Sequence, residues 1–166
     1  MLSSQQIAED LLAHFGENVK NFEEPYELLT FTTNRQNIIN LLVYLNKHET
    51  FRFRFLTDIC GLHLPDNAGE EFGVVYHLHS LENNKRIRIK VFIPADDIHI
   101  PTATTLYATA NWLERETYDF FGIIFDGHPN LKRILNIDEM DYFPMRKEYP
   151  LEDATRQDKI DALFGR

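Results

Sequence analysis

The sequence predicts an α+β fold: a small, largely antiparallel or mixed sheet with helices packed on one face, followed by an extended C-terminal tail. Three observations predict it. In "KRIRIKVFI" (85–93), Ile87, Ile89, Val91 and Ile93 alternate with Arg86, Arg88 and Lys90, the period of a strand buried on one side. "EFGVVYHLHSL" (71–81) precedes it across "ENN", a hairpin turn. Segments near the N-terminus instead space their apolar residues three and four apart, as helices do.

The elements follow in order. Ser3 and Gln6 have the spacing of a capping box, opening a helix with Ile7, Leu11, Leu12 and Phe15 facing inward and Gly16 at its C-cap. A first strand is expected over Tyr26–Thr32. Thr33 and Gln36 repeat the capping spacing ahead of a second helix, 34–48, whose buried face is Ile38, Leu41, Leu42 and Leu45. "TFRFRFLT" then alternates Phe51, Phe53 and Phe55 with Arg52 and Arg54, predicting a strand before the hairpin. Pro94 and Pro101 bracket a loop containing "ADDIHI", and a helix is expected from Ala108 to Phe121, stopping at Gly122. Beyond Asp126, turn signals and scattered apolar residues replace periodicity. The division is therefore an α+β domain, 1–125, and a tail, 126–166, expected to dock on a partner and to pack on its own domain only through about Leu135.

Composition narrows the function classes. A chain of 166 residues with 43% hydrophobic and 13% aromatic content can bury one real core. Its net charge of -9 argues against sequence-independent binding to nucleic acid or anionic lipid. No apolar run reaches the length of a membrane span, and the N-terminus lacks the pattern of a signal peptide, so a cytoplasmic location is expected. Cys60 is the only cysteine, which excludes an internal disulfide, a CxxC pair and an iron-sulfur cluster held by this chain alone. It is expected to be a small buried hydrophobe.

Chemical motifs are sparse. There is no GxGxxG and no GxxxxGK[ST] to cradle phosphates. His77 and His79 share a strand face at a spacing that can hold two metal ligands, but no third ligand lies at motif spacing. Cys60 and His63 have CxxH spacing without a second pair, and Asp96 and Asp97 fit a solvated turn. Arg52, Arg54, Arg86, Arg88 and Lys90 can form one basic sheet face; a solvated outer face and a docking surface for an acidic partner both account for it. In "WLERETYDFF" (112–121), Glu116 falls between Trp112 and Phe120 on a helical period. A carboxylate in an apolar stripe requires a partner, unless water reaches it at the stripe's edge.

"NWLERETYDFFGIIFDGHPNLKRIL" (111–135) closely resembles the signature of the C-type subunit of bacterial NADH-quinone oxidoreductase, the family of the complex I subunit named for a thirty-kilodalton mass. Glu114, Arg115, Glu116, Asp119, Phe120, Gly122, His128, Pro129, Arg133, Ile134 and Leu135 occupy the pattern's places. "FGVVYHLHSLENNKRIRIKVFIP" and "PMRKEYPLE" resemble the same family, so the likeness runs from Phe51 to Glu152 and more loosely from the first helix. Tyr142-Phe143 departs from the Gly-His that many relatives carry before this Pro. The short distance to the C-terminus suggests a stand-alone C-type subunit rather than its fusion with the D-type subunit.

The resemblance implies a peripheral-arm structural subunit of a proton-pumping NADH-quinone oxidoreductase, on the cytoplasmic side of the bacterial inner membrane. It implies no catalytic residue and no cofactor in this chain, with FMN, iron-sulfur clusters and quinone handled by partner subunits. The D-type subunit is the chief expected partner. Glu114, Arg115 and Glu116 are expected as a charge cluster at that contact, with Glu116 paired at the interface and Arg146 and Lys147 in an extended strap facing acidic groups. Two alternatives are a bracing subunit of a related membrane-bound hydrogenase or dehydrogenase, and a small metal-dependent enzyme built around His77 and His79.

Overall fold

The structure is a computed structural model and describes residues 2–149. Its elements are α1 (Ser4–Phe15), β1 (Val19–Glu23), β2 (Leu29–Thr33), α2 (Ile38–Lys47), β3 (Phe55–His63), β4 (Phe72–Ser80), β5 (Lys85–Ile93), β6 (His99–Pro101), α3 (Ala110–Phe121) and β7 (Ile124–Asp126). Five strands form one sheet in the order β1-β2-β5-β4-β3. Only β2 and β5 run parallel in it, so the sheet is mixed.

Register explains the core. Leu29, Ile87, Leu78 and Leu56 line up across four strands, as do Phe31, Ile89, Tyr76 and Ile59, and all of them are buried. Ile7 and Leu11 of α1 and Ile38, Leu41, Leu42 and Leu45 of α2 join the same apolar cluster. The helices cover the inner face that strand alternation created, where apolar burial is worth about 25 cal/mol per Å². Edge strand β3 is flanked by α3, whose Thr117 hydroxyl donates to the Ile59 carbonyl, as Thr109 does to Leu56 (both 3.4 Å). Close approach there depends on Gly61: a Cβ would lie 2.4 Å from the Phe121 ring.

Several expectations hold. The capping box at Ser3 and Gln6 forms, and Gly16 caps α1 with φ 55°. The hairpin β4–β5 pairs from Phe72↔Ile93 to Ser80↔Lys85. Helix α3 ends at Gly122 in the left-handed region, φ 77°.

Others are corrected. Leu12 is exposed, outside the inward face. Strand β1 was not expected, because "VKNFE" buries only Val19 and shows no alternation. Tyr26 does not begin a strand: it is exposed, with φ 55°, and β2 starts at Leu29. Thr33 does not cap α2. The helix starts at Ile38, and Asn34 Oδ1 accepts the Asn37 N–H (3.0 Å) just ahead of it. The Phe51-Phe53-Phe55 alternation is not a strand either. Arg52 has φ 47°, Phe53 N–H donates to Leu45 O (3.0 Å), and Phe55 faces water. A bulge between Leu56 and Asp58 then shifts the inward phase to Leu56 and Ile59. The "ADDIHI" loop contains β6, which pairs parallel with β7 through His99↔Ile124 and Ile100↔Phe125.

Packing of the C-terminal segment against its own domain continues past Leu135. Met145 N–H donates to Phe120 O (3.1 Å), and Lys147 N–H to His63 Nδ1 (2.9 Å). The expectations for Pro150, Leu151 and the rest of the tail through Arg166 lie outside the described residues.

Candidate interaction site around the third helix

Helix α3 buries charge where an apolar stripe was expected. Trp112 is 61% exposed and Glu116 is exposed too, so Glu116 is not the carboxylate that needs a partner. Inward positions fall instead to Ala110, Glu114, Thr117 and Asp119, with Arg115 also buried. The period was right and the phase was wrong. Hydrophobicity set the phase, whereas paired polar side chains occupy the buried side.

Glu114 is fully buried beside the β6 end of the short sheet. The Thr102 hydroxyl donates to Oε2 (2.5 Å) and the Ala103 N–H to Oε1 (2.6 Å). Burial pushes its carboxyl up to about 7, and those two donors offset only part of this. Thr102 is held in place because its own N–H donates to Asp126 O (3.0 Å) at the end of β7. No local motif marked Thr102 as a partner; the parallel pairing of β6 and β7 brings it there.

Asp119 is also fully buried, and its surroundings act in the opposite direction. Oδ2 accepts three consecutive backbone N–H groups, from Ile134 (3.0 Å), Leu135 (2.8 Å) and Asn136 (2.9 Å). Oδ1 accepts from Arg133 Nη1 (2.7 Å) and the Asn136 side-chain amide (3.1 Å). Burial alone would raise its pKa, but the N–H groups and the Arg133 guanidinium overcome this and hold the carboxyl well below the usual carboxylate range. Arg133 Nη2 further donates to Met140 O (2.7 Å) and Tyr142 O (2.9 Å).

The remaining signature residues extend this network. Arg115 donates to Lys132 O (3.2 Å) and Arg133 O (3.0 Å), with its guanidinium 5.2 Å from the Trp112 ring centre. His128 Nδ1 accepts the Asn130 N–H (3.0 Å), leaving Nε2 to donate to Asn111 O (3.0 Å). Phe143 lies near two guanidinium groups, Arg133 at 5.0 Å and Arg146 at 4.7 Å. Arg146 Nε donates to Phe121 O (2.8 Å), so a cation and the Met145 N–H satisfy carbonyls left free at the C-terminus of α3. Gly122 leaves the room: a Cβ there would lie 2.5 Å from Arg146 Nη2 and 2.6 Å from the Phe143 ring.

Glu114, Arg115, Asp119, Arg133 and Arg146 therefore all turn toward their own chain. Arg146, expected to face acidic groups of a partner, instead binds a helix end. Glu116, Pro129 and Lys147 stay exposed.

The sheet's outer face holds the other candidates. Asp58, Cys60 and His77 have ligand atoms within 4.8 Å of one another. His79 is not among them; it lies opposite Phe55 and Arg86. His77 Nε2 accepts from Arg88 Nε (2.9 Å), and burial, then Arg88, lowers its pKa. That bond places the neutral ring's proton on Nδ1, toward Asp58 at 3.6 Å. A cation on Nδ1 would have to displace both that proton and the Arg88 bond, so the donor set fits a polar network better than a metal. Burial likewise raises the Cys60 thiol pKa. Much of the basic face meets the chain's own acids: Arg52–Glu82 (2.7 Å), Arg54–Glu82 (3.6 Å), Lys85–Glu24 (3.7 Å) and Lys90–Glu23 (2.9 Å).

Comparisons with known proteins address the same segment. A family profile described as "Respiratory-chain NADH dehydrogenase, 30 Kd subunit" matches residues 31–155. The C-type subunit of NADH-quinone oxidoreductase from Nocardioides sp. is 47% identical over 123 residues, covering 74% of this chain and 49% of that protein. The second C-type subunit of NADH-quinone oxidoreductase from Rhizobium meliloti is 39% identical over 156 residues, covering 93% of this chain and 82% of that one. The chain thus spans about half the length of the first curated relatives it matches, at 49% in two of them. Among solved structures, the trypsin-resistant fragment (1-134) of Nqo5 superposes with a TM-score of 0.65 at 34% identity, covering 76% of this chain and 98% of the fragment. A chain of an archaeal membrane-bound sulfane sulfur reductase gives a TM-score of 0.75 at 23% identity over 89% of this chain and 85% of its own, a likeness of fold.

Proposed function

The chain belongs to the family of the 30 kDa subunit of respiratory-chain NADH dehydrogenase, and on that premise we propose that it is a structural, peripheral-arm subunit of a bacterial NADH-quinone oxidoreductase. In this role it braces the subunits that pass electrons from NADH through FMN and iron-sulfur clusters to quinone. It holds none of these groups and performs no bond chemistry itself. Its chief contact is the D-type subunit, reached through the segment after Asp126, and it sits on the cytoplasmic face of the inner membrane. Among the described residues no helix is long and apolar enough to cross a membrane.

One observation carries this reading. Arg115, Asp119, Arg133 and Arg146 of the signature are engaged with groups of their own chain, binding residues 133–146 to α3. Such a network shapes a surface.

The test is to tag the chain in its native host, isolate it from gently solubilised membranes and identify the co-migrating chains. The expected set includes an NADH-binding flavoprotein and the D-type subunit in stoichiometric amounts. A hydrogenase large subunit without an NADH-binding partner would replace this proposal with the related-complex alternative. The isolated chain is expected to show no visible chromophore and no stoichiometric iron, which absorbance and elemental analysis check.

A further inference from the structure

Resting on that role, we infer that the turn carrying Leu135 and Ile137 is a preformed apolar knob that docks in an apolar pocket rimmed by Lys and Arg on a partner protein of the assembly. Leu135 is 64% exposed and Ile137 66%. They flank Asn136, whose backbone N–H and side-chain amide are both bound by Asp119. The turn beneath them is fixed from the helix side by the Asp119 carboxylate and from the strap side by Arg133, which reaches Met140 O and Tyr142 O.

That anchoring is informative. An aliphatic pair on a loose loop would have to be ordered on binding, at an entropic cost set against affinity. Here the turn is already anchored by its own chain, while the two side chains it displays remain in water. Asp119, the most heavily hydrogen-bonded carboxylate described, holds its turn in one shape.

Charge narrows the occupant. Asp138, Glu139 and Asp141 follow the knob directly and are exposed. Three acids beside an apolar pair match a cationic rim around an apolar pocket and oppose an anionic lipid surface. A second copy of this chain, at net charge -9, is a poor electrostatic match. Met145, Tyr142 and Tyr149 on the same strap are exposed as well, side-chain types enriched in protein interfaces.

The experiment expresses a tagged Leu135→Ser/Ile137→Ser chain alongside untagged wild-type chain and measures the share of each in the isolated native complex. At least a tenfold loss of incorporation is expected, with the urea midpoint of the purified variant unchanged. Asp138→Asn/Glu139→Gln/Asp141→Asn is expected to incorporate less well than wild type, with a flatter dependence on salt. Covalent footprinting of the wild-type chain reports on the same residues without any substitution. Leu135 and Ile137 should label strongly in the free monomer and become protected at least fivefold in the complex.

Equal incorporation of the double variant overturns the knob, as does equal labelling of the free and assembled chain. Weak labelling in the free monomer overturns it too, by placing the pair under the chain's own residues. A wild-type dimer in sedimentation that the double variant abolishes would assign the surface to a second copy. Binding to phosphatidylglycerol vesicles that the variant abolishes would assign it to lipid. Should the variant's urea midpoint fall, the footprinting of the wild-type chain decides. Failure of the underlying role is distinct: wild-type chain would then be missing from any NADH-quinone oxidoreductase.

Discussion

Glu114 and Asp119 are both fully buried on α3, yet their surroundings move them in opposite directions. For Glu114 the folded pKa, about 7, lies above its ordinary value of 4.5. The folded state therefore holds a proton that the unfolded chain has released between those values, and stability falls as pH rises through this window. The loss amounts to about 3 kcal/mol at about 1.4 kcal/mol per tenfold change in proton affinity. Glu114→Gln should remove this dependence, so the variant's stability relative to wild type should rise from pH 5 to pH 8 in urea titrations. Asp119 has the reverse sign, since its pKa lies below the ordinary 3.8. Its contribution is present above that value and is lost as pH falls below it. Asp119→Asn leaves Arg133 without its buried counter-charge and should cost about 3–5 kcal/mol at pH 7. Glu116→Gln, at an exposed position, should change stability by about 0–1 kcal/mol. A loss of several kcal/mol there would mean that Glu116 has an internal partner.

At the scale of elements, α3 is held by what packs at its two ends. Near its N-terminus, Glu114 ties it to the turn after β6; at its C-terminus, Arg146 and Met145 bind the carbonyls of Phe121 and Phe120. Arg146→Ala removes the cation at the helix end and the contact with Phe143. Hydrogen exchange should then speed at Met145 and Lys147 at least tenfold, with the β4–β5 hairpin unchanged. In the wild-type chain, Ile134, Leu135 and Asn136 should exchange slowly although they lie in no helix or strand, because each N–H donates to Asp119. Gly61→Ala puts a methyl group into the Phe121 ring and should destabilise the domain by about 1–3 kcal/mol, as overpacking does. Denaturant midpoints check this.

For the molecule as a whole, the mixed sheet supplies one buried face and the helices close it, while α3 and the strap extend the structure beyond the strand β3 edge. A member of this family is therefore expected to keep its sheet and helices when isolated and to depend on partners for its role. The purified chain should unfold in a single cooperative transition, with coincident circular-dichroism and tryptophan-fluorescence curves. Trp112, exposed on α3, makes the second probe local to that helix. Two separate transitions would show that α3 and its strap fold apart from the sheet.

The sequence by itself determined the elements whose burial is periodic. Ile87 to Ile93, the "ENN" hairpin, the capping box at Ser3 and the glycine stop at Gly122 each depend on neighbours within a few residues. Resemblance placed the signature from Glu114 to Leu135 and, with it, the family. Only the tertiary structure decided the phase of α3, because hydrophobicity cannot show that Glu114 and Asp119 meet donors from Thr102 and from residues 133–136. It also decided that β2 pairs parallel with β5, that Arg52 breaks the Phe51–Phe55 alternation, and that Arg146 turns inward. The physical reason is shared. A buried charge is tolerated only where distant backbone and side-chain groups converge on it, and that convergence is a property of the folded chain.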